Sequence, residues 1–202
     1  MEDKTQEIQQ NTPDQQPPLN QGEPEKKPKS FLRDLFETIL MAVVLFLLLN
    51  TVTSRVKVFN ISMEPTLKQG YLLLVNKMAY KLGEPKHGDV IVFHYQGDQQ
   101  EDYIKRVVGL PGDKVEISNG VVRVNEQPLT EPYIMELPNY TGRWTVPENE
   151  LFVLGDNRNH SSDSHQWGTV KLDWVVGKAL FVYWPFNAID LLSVSNLVIA
   201  AP

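Results

Sequence analysis

Two residues of this chain, Ser62 and Lys105, carry side chains that together could cleave an amide bond. A serine hydroxyl is a poor nucleophile at neutral pH and needs a base beside it. A lysine amine can be that base only when it is neutral, and its ordinary pKa of ~10.4 keeps it protonated at pH 7. Burial lowers the pKa of a lysine because the charged form loses its water. This chemistry therefore requires a fold that brings Ser62 to an inward-facing Lys105.

The segment around the serine reads Ser62-Met63-Glu64-Pro65-Thr66-Leu67. Pro65 favours a turn, and a turn presents the Ser62 hydroxyl rather than burying it within a helix. A short pattern of this kind is also typical of an ordinary turn serine. The segment alone therefore permits a nucleophile without requiring one.

The lysine lies in a run predicted to be a strand, Tyr103-Ile104-Lys105-Arg106-Val107-Val108. Strand alternation puts Tyr103, Lys105 and Val107 on one face. Two interpretations remain open, because either Lys105 or Arg106 could face inward. Lowering the pKa of Lys105 to near 8 would cost about 3 kcal/mol of stability, at ~1.4 kcal/mol per unit. Such a cost is expected only at a working site.

Two further motifs follow in the chain, Gly155-Asp156-Asn157-Arg158 and Ser161-Ser162-Asp163-Ser164. With the two segments above, and in this order, they resemble the sequence boxes of bacterial type I signal peptidases. The resemblance covers roughly residues 35 to 185. It implies a membrane-bound serine endopeptidase that uses a Ser-Lys dyad and needs no metal or organic cofactor.

The resemblance implies a role for several residues. Ser62 would be the acylating nucleophile and Lys105 the general base. Ser161 matches the family serine that hydrogen-bonds the lysine amine, and Asp163 matches a carboxylate near that site. His165 stands where the family commonly has an arginine, which puts a salt bridge there in doubt.

An oxyanion hole needs donors aimed at the developing alkoxide. The Ser62 backbone N–H is the expected first donor. Some family members have a serine two residues before the nucleophile as the second donor, and here that position is Asn60, whose amide is expected to donate instead. Ile104, beside the base, is expected to line the substrate pockets. Asp156 and Arg158 either shape the turn that follows or form a surface turn pair.

The chain after Arg55 is rich in Val, Ile, Phe and Tyr in short runs separated by turn signals. Many short strands at close spacing predict an all-β fold, mainly an antiparallel barrel or sandwich. Ser118-Asn119-Gly120 predicts a hairpin. The predicted strands are Tyr71–Val75, Val90–Tyr95, Tyr103–Val108, Lys114–Ile117, Val121–Val124, Leu151–Leu154, Thr169–Leu172 and Val175–Trp184.

Three regions are predicted along the chain. Residues 1–34 are expected to be a disordered cytoplasmic tail, because residues 1–30 are almost free of apolar side chains. Residues 35–53 are predicted to be one transmembrane signal anchor. Residues 54–202 are predicted to be the β-rich peptidase domain. Basic residues before the anchor favour a cytoplasmic N-terminus, with the catalytic domain on the outer, periplasmic or lumenal side of a cell membrane, or of a thylakoid membrane.

Composition excludes several classes of protein. The 202-residue chain has no cysteine, so a cysteine nucleophile, a thiolate metal site and a disulfide framework are impossible. A net charge of −6 argues against a nucleic-acid partner. The partners that the resemblance implies are signal peptides of secreted preproteins, cut after small residues of the Ala-x-Ala type, with membrane lipid and the secretion translocon nearby.

Rival functions remain open at this point. The four histidines could supply a Ser-His-Asp triad with Asp156 or Asp163 as the orienting carboxylate. Self-cleaving repressor domains resemble the same catalytic core but lack an anchor. A membrane-anchored binding domain without enzymatic activity would tolerate exchange of Ser62 and Lys105. The histidines are His87, His94, His160 and His165.

Overall fold

A computed structural model describes residues 31–95, 101–192 and 198–199. Of the predicted tail, 1–34, residues 1–30 lie outside the described residues, and residues 31–34 are helical. The first element is one long helix, α1, over Phe31–Val52, which begins four residues before the predicted anchor, 35–53. It is long and apolar enough to cross a membrane, and none of its residues is buried. A helix that is apolar all round and covered by nothing fits a lipid environment.

The rest of the described chain is mainly β-structure, which confirms the predicted all-β class. Thirteen strands and two one-turn α-helices follow α1 in the described residues, with three 3₁₀ turns at Arg158–His160, Leu172–Trp174 and Phe186–Ala188. In chain order they are β1 (Thr53–Lys57), β2 (Leu72–Asn76), α2 (Ala79–Leu82), β3 (Val90–His94), β4 (Asp102–Gly109), β5 (Lys114–Ser118), β6 (Val121–Val124), β7 (Gln127–Thr130), β8 (Gly142–Thr145), β9 (Glu150–Leu154), α3 (Ser164–Trp167), β10 (Val170–Lys171), β11 (Val175–Trp184), β12 (Asp190–Leu191) and β13 (Val198–Ile199).

The strands form two antiparallel sheets. The first has the order β1-β2-β11-β3-β4-β9-β10, with β12 also paired to β11. The second has the order β13-β7-β6-β5-β8, and its β5–β6 hairpin turns at Asn119 and Gly120, both with positive φ, as predicted. The first sheet contains the strands that hold the candidate site, β4 and β9.

Strand β4 is buried on both faces from Ile104 onward, which differs from the half-buried strand that the sequence pattern predicts. Lys105 and Arg106 are both almost fully buried, at 1% and 2% exposure. Their register is set by β3, where Lys105 is opposite Ile91 and Arg106 is opposite Val90. The inward-facing Lys105 is confirmed, the alternative with Lys105 in solvent is wrong, and Arg106 faces protein as well.

Three clusters of buried apolar side chains surround β4. Ile104 packs into the first, Val108 into the second and Val107 into the third. The first cluster also holds Met63 and Leu67, the apolar residues on either side of the Pro65 turn. Packing of Met63 and Leu67 therefore fixes the serine segment against the same core that fixes the lysine strand.

Candidate active site

Ser62 lies in a tight turn between β1 and β2. The Glu64 N–H donates to the Ile61 carbonyl at 3.1 Å, and the Leu67 N–H donates to the Met63 carbonyl at 2.8 Å. The Glu64–Pro65 peptide bond is cis. Met63, the next residue, is buried in the core, and Ser62 itself is only 5% exposed.

A second turn, after β9, holds this segment in place. The Asn157 N–H donates to the Ser62 carbonyl at 3.0 Å, and the Asn157 side chain donates to the Ile61 carbonyl at 3.1 Å. The Thr66 hydroxyl donates to Asp156 at 2.5 Å. Gly155 leaves no room for a side chain, because a Cβ there would clash with Ser161 Oγ and with the Ser62 carbonyl oxygen. The glycine therefore permits this close approach of two backbone segments.

The structure brings Ser62 and Lys105 together. Lys105 Nζ lies 2.8 Å from Ser62 Oγ, and the ring of Tyr103 lies 5.7 Å from the same nitrogen. The distance between Nζ and Oγ is that of a direct hydrogen bond. A base at this distance needs no intervening water to take the serine proton.

Burial lowers the pKa of Lys105 from its ordinary value to about 8. Loss of hydration is the largest cause, and the negative charges of Asp163 and Asp156 oppose it. At a pKa near 8 a useful fraction of the amine is neutral at physiological pH. The site therefore has what a lysine base requires, which is a dry position with only partial charge compensation.

Asp156 is not part of a surface turn pair, because it is fully buried and ion-paired to Arg106. Arg106 Nε and Nη2 donate to its two oxygens at 2.8 and 2.7 Å, a bidentate arrangement. Arg106 also donates to the Gly88 carbonyl at 2.9 Å. The pair thus joins the lysine strand to the turn that holds the serine.

Arg158 is likewise buried, which also rules out a surface pair. Its guanidinium donates to Glu131 at 2.7 and 2.6 Å and to the Gly155 carbonyl at 3.0 Å. The ring of Tyr133 lies near both guanidinium groups, 4.0 Å from Arg106 and 5.9 Å from Arg158. Stacking of this type stabilises a buried cation.

Asp163 is buried at the N-terminus of α3. It accepts from the Gly155 N–H at 2.9 Å, and His165 Nδ1 lies 2.6 Å from its other oxygen. The salt bridge that the family's arginine would form was in doubt, and here His165 makes that contact with Asp163. The His165 ring also stacks on Tyr140, with ring centroids 3.8 Å apart. The Asp163 charge reaches Lys105 through space and raises the pKa of the lysine.

Ser161 differs from its expected geometry. Its hydroxyl is buried but has no hydrogen-bond partner among the described residues, so the expected bond to the Lys105 amine is not formed. The hydroxyl packs instead against Gly155, and the lysine amine donates to Ser62. Because the hydrogen of a hydroxyl turns about its C–O bond, the unpartnered Ser161 hydroxyl can act as either a donor or an acceptor.

Asn60 also differs from the expectation. Its carbonyl oxygen, not its amide nitrogen, faces Ser62, and it accepts the Ser62 hydroxyl at 2.8 Å and the Ser62 N–H at 3.3 Å. In this geometry Asn60 is a hydrogen-bond acceptor, and it engages the backbone N–H that was expected to donate to an oxyanion.

An open cleft of about 440 Å³ lies beside Asn60. Its walls come from β1 and the residues after it, and from the start of β4. Ile104 is not among the lining residues, because it is buried in the first apolar cluster. The cleft is lined by Arg55, Val56, Lys57, Phe59, Asn60, Glu101, Asp102 and Tyr103.

Each histidine has a partner other than Ser62, which removes the geometric basis for a histidine triad. Among the described residues no group of three or more His, Cys, Asp or Glu side chains could hold a metal ion. The histidine contacts are His87 with Asp113, His94 with Asp102, His160 with Asn157 and His165 with Asp163.

The residues that support the Ser62–Lys105 pair through buried contacts were not predicted from the sequence. Arg106 and Tyr133 give no local signal, since a cation and an aromatic residue are common on strands. Thr66 and Glu131 likewise acquire their importance only through remote partners. The one available signal was two adjacent cations within the apolar run of β4, which predicts that at least one has a buried anionic partner.

Comparison with known proteins identifies the family of this chain. The family model "Signal peptidase, peptidase S26" matches residues 32–184. A probable signal peptidase I-1 of Synechocystis sp. is 41% identical over 174 residues, covering 82% of this chain and 89% of that protein. The signal peptidase I of Bacillus caldolyticus is 43% identical over 141 residues, covering 62% and 76%.

A solved structure of a signal peptidase I from Enterococcus faecalis V583 is 32% identical, with a TM-score of 0.43. It covers 48% of this chain and 97% of the other.

The class that these comparisons define is a peptidase, and hence a hydrolase. The chain belongs to the signal peptidase family, peptidase S26. Family membership and the apolar helix α1 together indicate a membrane-anchored enzyme.

Proposed function

We propose that this chain removes signal peptides from secreted preproteins, with Ser62 as nucleophile and Lys105 as general base. The observation that carries the proposal is the 2.8 Å contact between Lys105 Nζ and Ser62 Oγ in a buried position. It is supported by a lysine pKa of about 8, since a base works best when its pKa is near the working pH.

The reaction follows from this geometry. Ser62 Oγ attacks the carbonyl carbon of the scissile bond while its proton passes to Lys105 Nζ. The tetrahedral intermediate collapses, the C–N bond breaks, and the Lys105 ammonium returns the proton to the leaving amine. Lys105 then takes a proton from water, which attacks the carbonyl carbon of the ester on Ser62. The C–O bond to Ser62 Oγ breaks, the Lys105 ammonium returns the proton to Oγ, and the acid is released.

Ser161 and Asp163 would support the base. The unpartnered Ser161 hydroxyl would rotate to bond the neutral amine, and the Asp163 carboxylate would stabilise the ammonium that forms. Ile104 would act beneath the cleft, by fixing Met63 beside the nucleophile through core packing.

The cleft beside Asn60 supports an extended peptide as substrate. β1 is an edge strand, paired to β2 alone among the described strands, so the backbone of a bound segment could pair with its free side. Small side chains would be selected by steric exclusion close to the nucleophile, which accounts for an Ala-x-Ala preference. The anchor, with its N-terminus on the cytoplasmic side, would hold the site near lipid and the translocon, where signal peptides end.

The test is cleavage of a preprotein with an Ala-x-Ala site by the full chain in detergent. Ser62→Ala and Lys105→Ala should each abolish cleavage while melting cooperatively. Each histidine replaced singly by glutamine should leave the enzyme active, and Lys171→Ala, at an exposed lysine, is the matched control. Cleavage by Lys105→Ala, or its loss on replacement of His87, His94 or His160, would overturn the dyad; His165 is excluded from this comparison because it contacts Asp163.

A further inference from the structure

The Asn60 side chain holds the nucleophile in a defined orientation. Its Oδ1 accepts both the Ser62 N–H at 3.3 Å and the Ser62 O–H at 2.8 Å. The acceptance of a backbone N–H two residues along is an Asx-turn. The backbone donor fixes which end of the amide faces Ser62, because an NH₂ group there would oppose another donor.

The Ser62 hydroxyl is therefore the middle group in a series of hydrogen bonds that all run in the same direction. The Lys105 ammonium donates to Ser62 Oγ at 2.8 Å, and the hydroxyl donates onward to Asn60. In this arrangement the serine proton points away from the base. Proton transfer requires the opposite direction, with the hydroxyl donating to a neutral Lys105 amine.

We infer that Asn60 is a positioning residue that keeps the nucleophile inactive at rest and releases it when a peptide enters the cleft. This inference rests on the proposed Ser62–Lys105 dyad. Asn60 lines the cleft and its side chain is accessible there, so an entering peptide contacts it directly. Its displacement frees the serine proton for Lys105 and the Ser62 N–H for the oxyanion. One movement thus completes two parts of the catalytic site.

The charged groups around Lys105 also influence its pKa, in addition to the hydrogen bond from Ser62 to Asn60. Asp163, at the start of α3, and Asp156, in the turn after β9, both raise the pKa of Lys105. Tyr103 presents its ring to the ammonium from β4 itself. Asn60 acts in the same direction as the two carboxylates, because its bond to Ser62 orients the hydroxyl as an acceptor for the charged amine.

The experiment compares the full chain in detergent with Asn60→Ala and Asn60→Asp. Two readouts are followed against pH, namely kcat/KM and the titration of the Lys105 amine by nitrogen NMR. Asn60→Ala should lower the Lys105 midpoint by ~0.5–1 pH unit, the equivalent of one net hydrogen bond, and raise kcat/KM below the midpoint by about three- to tenfold. Asn60→Asp keeps the acceptor, adds a negative charge and should raise the midpoint.

Asn157→Ala is the matched control. It removes a bond to the Ile61 carbonyl and loosens the same turn, but leaves the acceptor of the Ser62 hydroxyl in place. Its midpoint should equal that of the wild type.

Three results would overturn the inference. An unmoved midpoint with kcat/KM reduced about a hundredfold at every pH would make Asn60 an oxyanion donor. No change in either readout would make it an ordinary turn residue. An equal shift in Asn157→Ala would assign the effect to loop loosening. If Ser62→Ala still cleaves while the Lys105 midpoint moves in Asn60→Ala, the proposed function is wrong. The series of hydrogen bonds from Lys105 through Ser62 to Asn60 would then still stand.

Discussion

The Lys105 amine lies 2.8 Å from Ser62 Oγ, although 43 positions separate the two residues in sequence. The lysine comes from a strand that is buried from Ile104 onward, and the serine comes from a turn that packs on the same core. The protein thus places a cation where it has little water and only through-space carboxylates. Under the proposed function, stability and catalysis make opposite demands on this position.

Replacement of the lysine by an apolar side chain should therefore stabilise the fold. We expect Lys105→Met to raise the free energy of unfolding by about 3 kcal/mol at pH 7, because a pKa lowered to about 8 reflects a cost of that size. Wild-type stability should rise as pH increases from about 8 to about 10, where the unfolded lysine binds more protons than the folded one. The advantage of Lys105→Met should shrink over the same window in urea unfolding.

Lys178 is the matched control for that experiment, because it is paired to the buried Asp89 at 2.6 Å. Lys178→Met leaves Asp89 without its cation and should destabilise the protein. A loss of stability in Lys105→Met comparable to that in Lys178→Met would show that burial of the Lys105 amine carries no net cost to the fold.

The rate of cleavage should depend on pH through the same amine. Only neutral lysine accepts a proton, so kcat/KM should rise about tenfold per pH unit up to about 8 and then level off. Asp163→Asn keeps a side-chain acceptor for the Gly155 N–H but removes a charge that raises the pKa of Lys105, so the rise should move to lower pH. A wild-type midpoint near 6.5, typical of histidine, would contradict a lysine base.

Gly155→Ala should disable the site through a steric clash. Its Cβ would collide with Ser161 Oγ and the Ser62 carbonyl oxygen, so the two turns must separate. We expect a loss of about 1–3 kcal/mol in unfolding free energy and loss of cleavage. Gly83→Ala is the control, because its nearest neighbour is the Ala79 carbonyl oxygen at 3.4 Å and its φ is −156°. Equal stability of the two variants would refute the steric argument.

The Arg106–Asp156 pair should behave as one unit. Arg106→Met leaves a buried carboxylate and should cost about 3–5 kcal/mol, and the double variant with Asp156→Leu should lose less than the sum of both. Arg143→Met, at a side chain that is 81% exposed and pairs with Glu116, should change stability by less than ~1 kcal/mol. Additivity in the urea-unfolding cycle would show that the buried pair is not coupled.

The strands that follow simple β-patterns were predictable, and β11 matches its predicted bounds in full. Those missed have physical reasons. β1 follows α1 without a break, β7 contains Pro128, and β8 starts with Gly142 and carries Arg143. Two-residue strands such as β12 have too few residues for alternation to be visible.

The site was predictable as a set of residues but not as a set of contacts. Ser62 and Lys105 could be chosen from chemistry and motif, whereas the burial of Asp156 and Arg158 depends on Arg106 and on the remote Glu131. The orientation of the Asn60 side chain could have been predicted, because an asparagine often accepts the backbone N–H of the residue two positions later in an Asx-turn.

Two adjacent buried cations on β4 make the register of that strand decisive. A shift by one residue that puts Arg106 at the Lys105 position would also put Val107 at the Arg106 position, so that a guanidinium would face Ser62 and the buried Asp156 would lose its cation. Such a molecule would have no base beside Ser62, because a guanidinium cannot be deprotonated in proteins. The active fraction in a refolded sample therefore counts the chains that assembled this strand in the correct register.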